Sequence, residues 1–327
     1  MKNAAPTDKS PSAKVTFVQV DDDQAGQRLD NFLMARLKGV PKSKVYNIIR
    51  KGEVRVNKGR AKPDYKIVLG DEIRIPPVRV AEKEPLAKPS NIMTRVLEQS
   101  VIYEDDGLIV VNKPAGLAVH GGSGVSLGLI ETLRQMRPDA RYLELVHRLD
   151  KDTSGCIMVA KKRSVLRHLQ AALREKNTSG IRKVYQALVI GSWSQTCRRV
   201  DAPLLKIEVA NDERIVRVHP EGKPSLTEFK ILKNYTNCTL VEARPITGRT
   251  HQIRVHAQHA GHSLVGDEKY GDDAFNMSMR SLGVKRLFLH AAELSFYLPD
   301  AKELTVVQAP LAADLAGVLQ KLVTAVA

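Results

Sequence analysis

Proline residues are concentrated about a quarter of the way along the chain, between two stretches with different patterns. Four of them lie within residues 76–89, namely Pro76, Pro77, Pro85 and Pro89. Because proline lacks an amide hydrogen and has a fixed φ, such a cluster is unfavourable inside a helix or a central strand. The 327 residues also exceed the length of one ordinary domain. We therefore predict two domains, over residues 15–80 and 101–327, joined by a linker at 81–100 and preceded by a disordered tail at 1–14.

One segment of the first domain is strongly basic. Between Arg36 and Lys62 the chain has ten Lys or Arg residues and a single acid, Glu53, so this segment holds +9 of the formal net charge of +15. A charge of one sign at this density is typical of a surface that binds phosphates, and an ordinary solvated face is the alternative. The candidate phosphate contacts are Lys42, Lys44, Arg50, Lys51, Arg55, Lys58 and Arg60.

Apolar periodicity in the same domain predicts a small fold of two helices and short strands. Apolar residues recur at helical spacing over residues 29–37 and 43–51. A short apolar strand is expected at Val15–Val20. Alternation predicts further strand residues at Val54, Val56, Ile67, Leu69, Ile73 and Ile75.

Beyond residue 101 the pattern changes to strands interleaved with helices. Strands are expected at residues 108–111, 156–160, 185–190, 226–232, 239–243, 287–289 and 304–307. Helices are expected at residues 126–136, 164–176, 251–260 and from 312 onward. This order favours one α+β domain with a mixed, mostly antiparallel sheet flanked by helices.

The densest group of polar residues is HRLDKDTSG at residues 147–155. It lies between two apolar segments, so we expect a loop that holds a carboxylate at the edge of a sheet. A plain connecting loop of ordinary turn residues is the alternative. The protein-kinase catalytic loop also begins His-Arg, but there the leucine follows the aspartate, whereas here Leu149 precedes Asp150.

A second polar motif, TGRTHQIRVH at residues 247–256, is predicted to open a helix with Thr250 as its N-cap. Arg254 lies one turn into that helix, where a guanidinium can pair with a carboxylate or a phosphate; an exposed surface arginine is the alternative. Tyr185 begins a predicted strand in the sequence KVY. A tyrosine there is typical of a core or sheet edge, and it becomes a site residue only if it faces the same cleft as Asp150.

Several other patterns suggest chemistry but lack the context that each needs. Ser126 lies in a G-x-S-x-G stretch typical of hydrolases, yet a glycine-rich loop leads into it instead of a buried strand. His256, His259 and His262 recur without an accompanying carboxylate cluster, so no metal site is predicted. The three cysteines form no C-x-x-C pair, and no apolar run is long enough for a membrane span. With a polar N-terminus unlike a signal peptide, we expect a cytoplasmic protein.

The motifs together resemble a known family. HRLDKDTSG, KVY and TGRTHQIRVH, in this order after a basic segment that resembles the S4 RNA-binding domain, are similar to the RluA family of RNA pseudouridine synthases. The resemblance extends from about Gly26 to Pro310. The stretches GVPKSKVYNIIRKGEVRVNKGR, VNKPAGLAVHGGSG and GDEKYGD are most similar to the branch that modifies the large-subunit ribosomal RNA of bacteria.

The resemblance implies a role for each matching residue. Asp150 matches the catalytic nucleophile of the family, whereas Asp152 falls at a variable position of the motif. Tyr185 matches the tyrosine that packs on the target base, and Arg254 matches the basic residue that pairs with the catalytic carboxylate. Contacts with RNA are expected at Arg148, which matches the arginine that helps hold the everted nucleotide, and at Arg249 and His251.

The resemblance also implies a substrate and the lack of a cofactor. Conversion of uridine to pseudouridine requires neither redox chemistry nor an energy source, so no cofactor is expected. The implied partner is 23S ribosomal RNA, free or in a pre-50S particle, and we expect a monomer. Whether the carboxylate attacks C6 or C1′, or removes the C2′ proton, stays open. A protein that binds RNA without chemistry is the alternative that the charge alone allows.

Overall fold

Two structural units make up the chain, Met1–Leu86 and Ala87–Ala327. The computed structural model describes residues 14–22, 24–37, 39–78, 88–121, 127–175, 180–208 and 214–324. The division falls inside the segment predicted as a linker. Most of the predicted disordered tail, residues 1–13, lies outside the described residues.

The N-terminal unit combines two helices with a three-stranded antiparallel sheet, as the periodicity predicts. Leu29, Leu33, Val45 and Ile48 from the helices are buried together with Ile73 from the sheet. The N-terminal unit therefore has its own hydrophobic core. The elements are β1 (Thr16–Gln19), α1 (Leu29–Arg36), α2 (Lys42–Arg50), β2 (Arg55–Val56) and β3 (Glu72–Ile75), with strand order β1-β3-β2.

The predicted strand residues at 67–69 form no strand. Ile67 is buried as expected, but its amide donates to the carbonyl of Gln27 and its carbonyl accepts from the amide of Gly26. The segment is therefore tied to the loop before α1 and does not continue the sheet.

A two-residue turn at Asn57 and Lys58 presents part of the basic segment. Both residues have positive φ, 48° and 66°, and the amides of Val56 and Gly59 each donate to the other's carbonyl. Successive left-handed residues are what a tight hairpin turn requires. Asparagine tolerates this conformation, and here its side chain also donates to Asp71. The turn leaves Lys58 exposed.

The larger unit is built on one large sheet with helices around it. Its helices are α3 (Asn91–Gln99), α4 (Leu129–Met136), α5 (Arg163–Arg174), α6 (Gln252–His259), α7 (Asp273–Met279) and α8 (Ala313–Thr324). Its strands are β4 (Val101–Glu104), β5 (Leu108–Lys113), β6 (Glu144–Leu145), β7 (Ser154–Ala160), β8 (Arg182–Ile190), β9 (Arg199–Asp201), β10 (Leu204–Glu208), β11 (Arg214–Val218), β12 (Leu226–Asn234), β13 (Cys238–Pro245), β14 (Leu289–Phe296) and β15 (Thr305–Gln308).

The main sheet has the order β4-β5-β7-β14-β8-β13-β12-β9, with β15 beside β14 and β6 beside β7. The pair β7–β14 is parallel and the other pairs in the main sheet are antiparallel. The predicted α+β class with a mixed, mostly antiparallel sheet is confirmed. Every residue of the central strand β7 is buried, which explains its continuous apolar run.

Gly155 allows the parallel pair to form. Its φ is +106°, and a Cβ atom there would lie 2.2 Å from the carbonyl oxygen of Ala291 in β14. Beside it, the Ser154 hydroxyl is 2.9 Å from Nδ1 of the buried His290. These contacts fix the end of the 147–153 loop against β14, so the candidate carboxylates are anchored at the centre of the sheet.

The second half of the predicted linker is instead the helix α3. Leu97 is fully buried in a core that it shares with Ile109 and Leu129, and the Ser90 side chain accepts the amide of Met93 as an N-cap. The nearby prolines concealed this cap and its helical periodicity. The remainder of that linker, through residue 87, lies outside the described residues.

Candidate active site

The loop of residues 147–153 is held from both sides. His147 accepts the amide of Met158 on Nε2 at 3.2 Å, and the amide of Thr153 donates to the carbonyl of Asp150. The carbonyl of Lys151 accepts the amide of Gly116 at 2.9 Å. Burial, reinforced by the charge of Lys183, lowers the pKa of His147 to about 4. A neutral His147 is what the bond from Met158 requires, because only an unprotonated Nε2 can accept.

Lys113 is a site residue to which the sequence assigned no role. Its side chain is fully buried, and Nζ donates to the carbonyls of Pro114, Leu117 and Lys151, each at 2.9 Å. Burial lowers its pKa, whereas three carbonyl acceptors favour the ammonium form. Since one acceptor adjoins Asp150 in the chain, Lys113 fixes the backbone beside the carboxylate. The only sequence signal was the NKPAG stretch.

Two hollows meet at Asp150. The first, of about 460 Å³, contains Tyr185 and Lys183, and the second, of about 680 Å³, contains Lys151 and Lys269. The Asp150 side chain is 28% exposed. A carboxylate placed in this way can be reached by a ligand that occupies either hollow. The residues common to both linings are Arg148, Leu149, Asp150, His251 and Arg254.

The first hollow is strongly cationic. Asp150 is the single carboxylate among its described lining residues. Burial lowers the pKa of Lys183 in this lining. Such a lining suits a polyanionic ligand and leaves one carboxylate available for chemistry. The cations of this lining are Arg148, Arg174, Lys183, Arg249 and Arg254.

Tyr185 faces the same hollow as Asp150, which satisfies the condition placed on it. It lies in β8 between Ala243 of β13 and Ala291 of β14 and is half-buried. Burial raises its pKa, and the negative charge of Asp150 raises it further. The phenol is therefore neutral, with a flat face available to a planar ligand.

Arg254 does not pair with Asp150 as the resemblance implied. Its Nε and Nη2 donate to the two carboxylate oxygens of Asp267 at 2.7 and 2.6 Å, so the guanidinium fork is already occupied. Burial acts to lower the pKa of Arg254, but the bonds to Asp267 and the charges of Asp267 and Asp150 raise it. Asp267 is buried in the GDEKYGD loop, and only the tertiary fold brings it to Arg254.

The N-cap predicted at Thr250 is also wrong. Helix α6 starts one residue later, with His251 at the N-cap position in a left-handed conformation. The Gln252 side chain closes the turn, because its oxygen accepts the amide of Arg249 at 3.0 Å and the hydroxyl of Thr247 at 2.6 Å. This turn leaves Arg249 exposed at the hollow and places His251 beside Asp150.

The basic residues of the N-terminal unit lie on its surface. Arg55 is half-buried, and the others are exposed on α2, just after it, and on the turn at Asn57. They present charge on an open surface, which suits contact with a phosphate backbone. The exposed residues are Lys42, Lys44, Arg50, Lys51, Lys58 and Arg60.

The histidine series and the G-x-S-x-G serine are not part of this site as described. His256 is buried between the Thr227 hydroxyl and the carbonyl of Ala202, and His262 is 2.8 Å from the carbonyl of Ile190. Ser126 lies outside the described residues. In the described part of the chain, no cluster of three potential metal ligands occurs and no helix is long and apolar enough to cross a membrane.

Comparison with known proteins identifies both units. A family model described as RNA pseudouridylate synthase matches residues 107–259, and an S4 domain model matches residues 27–73. The proteins named ribosomal large subunit pseudouridine synthase C of Vibrio vulnificus and of Escherichia coli K12 are each 54% identical to this chain. The matches cover 95% and 96% of this chain and 98% of each relative.

Solved structures show the same fold in the larger unit. The human RNA pseudouridylate synthase domain containing 4 protein superimposes with a TM-score of 0.59 at 27% identity, covering 71% of this chain and 96% of its own. The human RNA pseudouridylate synthase domain containing 1 protein superimposes with a TM-score of 0.56 at 25% identity. This match covers 73% of this chain and 97% of that protein's chain. The matched segment contains Asp150, Tyr185 and Arg254. These matches, together with relatives that are similar along nearly their whole length, show that the chain belongs to the RNA pseudouridylate synthase family and is an isomerase of RNA uridines.

Proposed function

We propose that this protein isomerises specific uridines of bacterial large-subunit (23S) ribosomal RNA to pseudouridine, with Asp150 as the nucleophile. The observation that carries the proposal is the position of Asp150, the single carboxylate in the described lining of a cationic hollow that also contains Tyr185. The substrate is inferred from relatives whose names specify the ribosomal large subunit. The basic S4 unit supports a large RNA partner.

The reaction balances without an outside reagent. The C1′–N1 bond of uridine breaks, the uracil turns, and a C1′–C5 bond forms; C5 loses a proton and N1 gains one. A carboxylate suits this sequence because it can attack C6 or C1′ and later leave, or it can remove and return the C2′ proton. In each route Asp150 acts in its carboxylate form.

The uridine must leave its base stack to reach Asp150. A hollow of about 460 Å³ is large enough for a nucleoside, and the neutral Tyr185 offers a face on which the uracil can lie. Arg148 is exposed and lines both hollows, so it can contact the displaced nucleotide or fill its place in the stack. Arg249 and Lys183 are placed to contact neighbouring phosphates.

The N-terminal unit contributes affinity in this proposal. Its exposed cations neutralise phosphates of the RNA, and the substrate is either free rRNA or a pre-50S particle. We expect a monomer in the cytoplasm, which light scattering of the purified protein and fractionation of cells would check.

The deciding experiment incubates purified protein with unmodified 23S rRNA, without added cofactor, and maps pseudouridine with a carbodiimide. Asp150→Asn should leave no new pseudouridine while binding RNA as wild type does, because the amide cannot act as a nucleophile. Asp139, an exposed aspartate that lines neither hollow, provides the matched control: Asp139→Asn should modify the same positions.

Asp152→Asn separates the two neighbouring carboxylates. Ordinary turnover by Asp150→Asn, together with loss of turnover in Asp152→Asn, would transfer the nucleophile to Asp152. The failure of wild type on both naked 23S rRNA and pre-50S particles would remove this substrate from the proposal.

A further inference from the structure

His251 has an unusual backbone for a residue with a side chain. Its φ is 54° and its ψ is 20°, within the left-handed region. A non-glycine residue there carries a conformational cost, and such residues concentrate where a site needs one particular geometry. The conformation directs the imidazole between the two hollows, where its side chain is 17% exposed.

One ring nitrogen of His251 is held by a buried tyrosine. Nδ1 lies 2.7 Å from the hydroxyl of Tyr270, and the two rings meet edge to face with centroids 5.4 Å apart. The same hydroxyl accepts the amide of Val216 at 3.0 Å. If Nδ1 carried a proton, both Nδ1 of His251 and the amide of Val216 would donate to the Tyr270 hydroxyl. Neither neighbour could then accept the hydroxyl's own proton. Tyr270 therefore donates to Nδ1.

This bond determines the tautomer of the neutral ring. With Nδ1 as acceptor, the proton of neutral His251 must lie on Nε2. Burial lowers the pKa of His251 and keeps it neutral; Arg254 and Lys269 act in the same direction, whereas Asp150 and Asp267 oppose them. Nε2 is the nitrogen nearer to Asp150, 3.9 Å from its Oδ2. Distances of this kind in a free enzyme often shorten when substrate binds.

Tyr270 is itself fixed by the buried ion pair. Asp267 accepts the amide of Tyr270 at 2.9 Å, and the Arg254 guanidinium lies over the Tyr270 ring at 4.8 Å from its centroid. Arg254 thus reaches Asp150 through a connected series of contacts: Arg254 to Asp267, Asp267 to Tyr270, Tyr270 to His251, and His251 to Asp150.

We propose that His251 is a positioning residue for Asp150, whose Nε2–H, oriented by Tyr270, donates to Oδ2 during the reaction and leaves Oδ1 to react. The inference rests on the role proposed for Asp150. A carboxylate at the junction of two open hollows can rotate, and a single donor to one oxygen restricts that rotation. The role also accounts for the left-handed backbone, which places the ring between Tyr270 and Asp150.

Two substitutions of His251 separate this role from a structural one. In His251→Gln the side-chain amide can take the place of Nε2–H but loses the partner of Tyr270. In His251→Asn the shorter side chain can still face Tyr270 but does not reach Asp150. Asparagine also tolerates the left-handed conformation better than glutamine. A purely structural role therefore favours Asn on both counts, whereas the proposed role favours Gln.

We expect kcat on 23S rRNA to fall roughly tenfold to a hundredfold in His251→Asn, as for loss of one hydrogen bond to a charged group, with KM little changed. His251→Gln should keep kcat within a few-fold of wild type. Equal activities, or greater activity in the Asn variant, would overturn the proposal. If Asp150→Asn is also active, the role of Asp150 fails first, so the two failures are distinguishable.

Tyr270→Phe gives a second test that leaves His251 intact. It removes the hydroxyl that donates to Nδ1 of His251 but keeps the aromatic ring of residue 270 beneath Arg254. We expect kcat to fall about three- to tenfold, because the His251 imidazole then loses its preferred tautomer. An unchanged kcat in a variant that unfolds at the wild-type temperature would contradict the role assigned to Tyr270.

Discussion

The basic surface of the N-terminal unit and the buried charges of the larger unit act in opposite ways. In the N-terminal unit, Lys58 and most of its basic neighbours are exposed, and what matters is their number on one surface. In the larger unit, Arg254, Asp267 and Lys113 are buried, and each is held by named partners at 2.6 to 2.9 Å. Contacts of the first kind add up gradually and are screened by salt. Contacts of the second kind are lost as a whole when one partner is removed.

The largest expected effect tests this contrast on two similar ion pairs. Asp267→Asn leaves the buried Arg254 charge without its partner, so we expect a loss of about 3–5 kcal/mol in the free energy of unfolding. Asp30→Asn disturbs the corresponding fork to Arg28. Asp30 is buried, but the Arg28 charge left behind is 48% exposed and can be solvated, so the cost should be about 1 kcal/mol.

Urea unfolding followed by circular dichroism measures both variants. The fluorescence of Trp193, the single tryptophan, reports on the larger unit alone. Equal losses in the two variants would remove the contrast between the units.

A pH experiment sharpens the comparison, because all nine histidines lie in the larger unit. The pKa of His147 is about 4 when folded, against an ordinary value of 6.5. Between these values the unfolded chain binds more protons than the native state, so this residue lowers stability as the pH falls from 6.5 to 4.

His147→Gln, which keeps an acceptor for Met158, should reduce that acid-dependent loss by about 1–3 kcal/mol. Unfolding of both proteins at pH 7 and at pH 4.5 provides the measurement. Identical losses in wild type and variant would show that His147 titrates normally in the fold.

The smallest effect per residue is expected on the N-terminal surface. The double variant Lys58→Gln, Arg60→Gln should weaken rRNA binding and reduce the slope of log affinity against log salt by about 1–2, while kcat stays unchanged. Lys230→Gln with Lys302→Gln removes the same charge from exposed positions outside both hollows and is the matched control. Equal slopes for the two double variants would show that the N-terminal charge has no special role.

Local pattern predicted much of the fold. The strands at 156–160 and 239–243 and the helix at 164–176 correspond to β7, β13 and α5. The strands were visible as short apolar runs and the helix through its helical spacing of apolar residues. Helix α3 was missed because it follows the proline cluster, which favoured a linker although Met93, Val96 and Leu97 have helical spacing. The strands β6 and β9 were missed because two or three residues are too few to show an alternating pattern.

The sequence predicted only those site residues that lie within its motifs. Asp150, Tyr185 and Arg254 do line one hollow, as their motifs suggested. The partner of Arg254 lies in another loop, and the three carbonyls around Lys113 are backbone atoms that no side-chain pattern reveals. The left-handed conformation of His251 is equally invisible in sequence, because it is uncommon for any residue other than glycine and no local pattern marks it.

The parallel pair between β7 and β14 also has a consequence for protein synthesis. It joins Gly155 to Ala291, so the loop that carries Asp150 gains its anchor on β14 only after most of this chain has been made. The S4 unit, in contrast, is complete within the first 86 residues. Since domains generally fold in the order of synthesis, the S4 unit of a nascent chain can fold well before the Asp150 loop packs against β14.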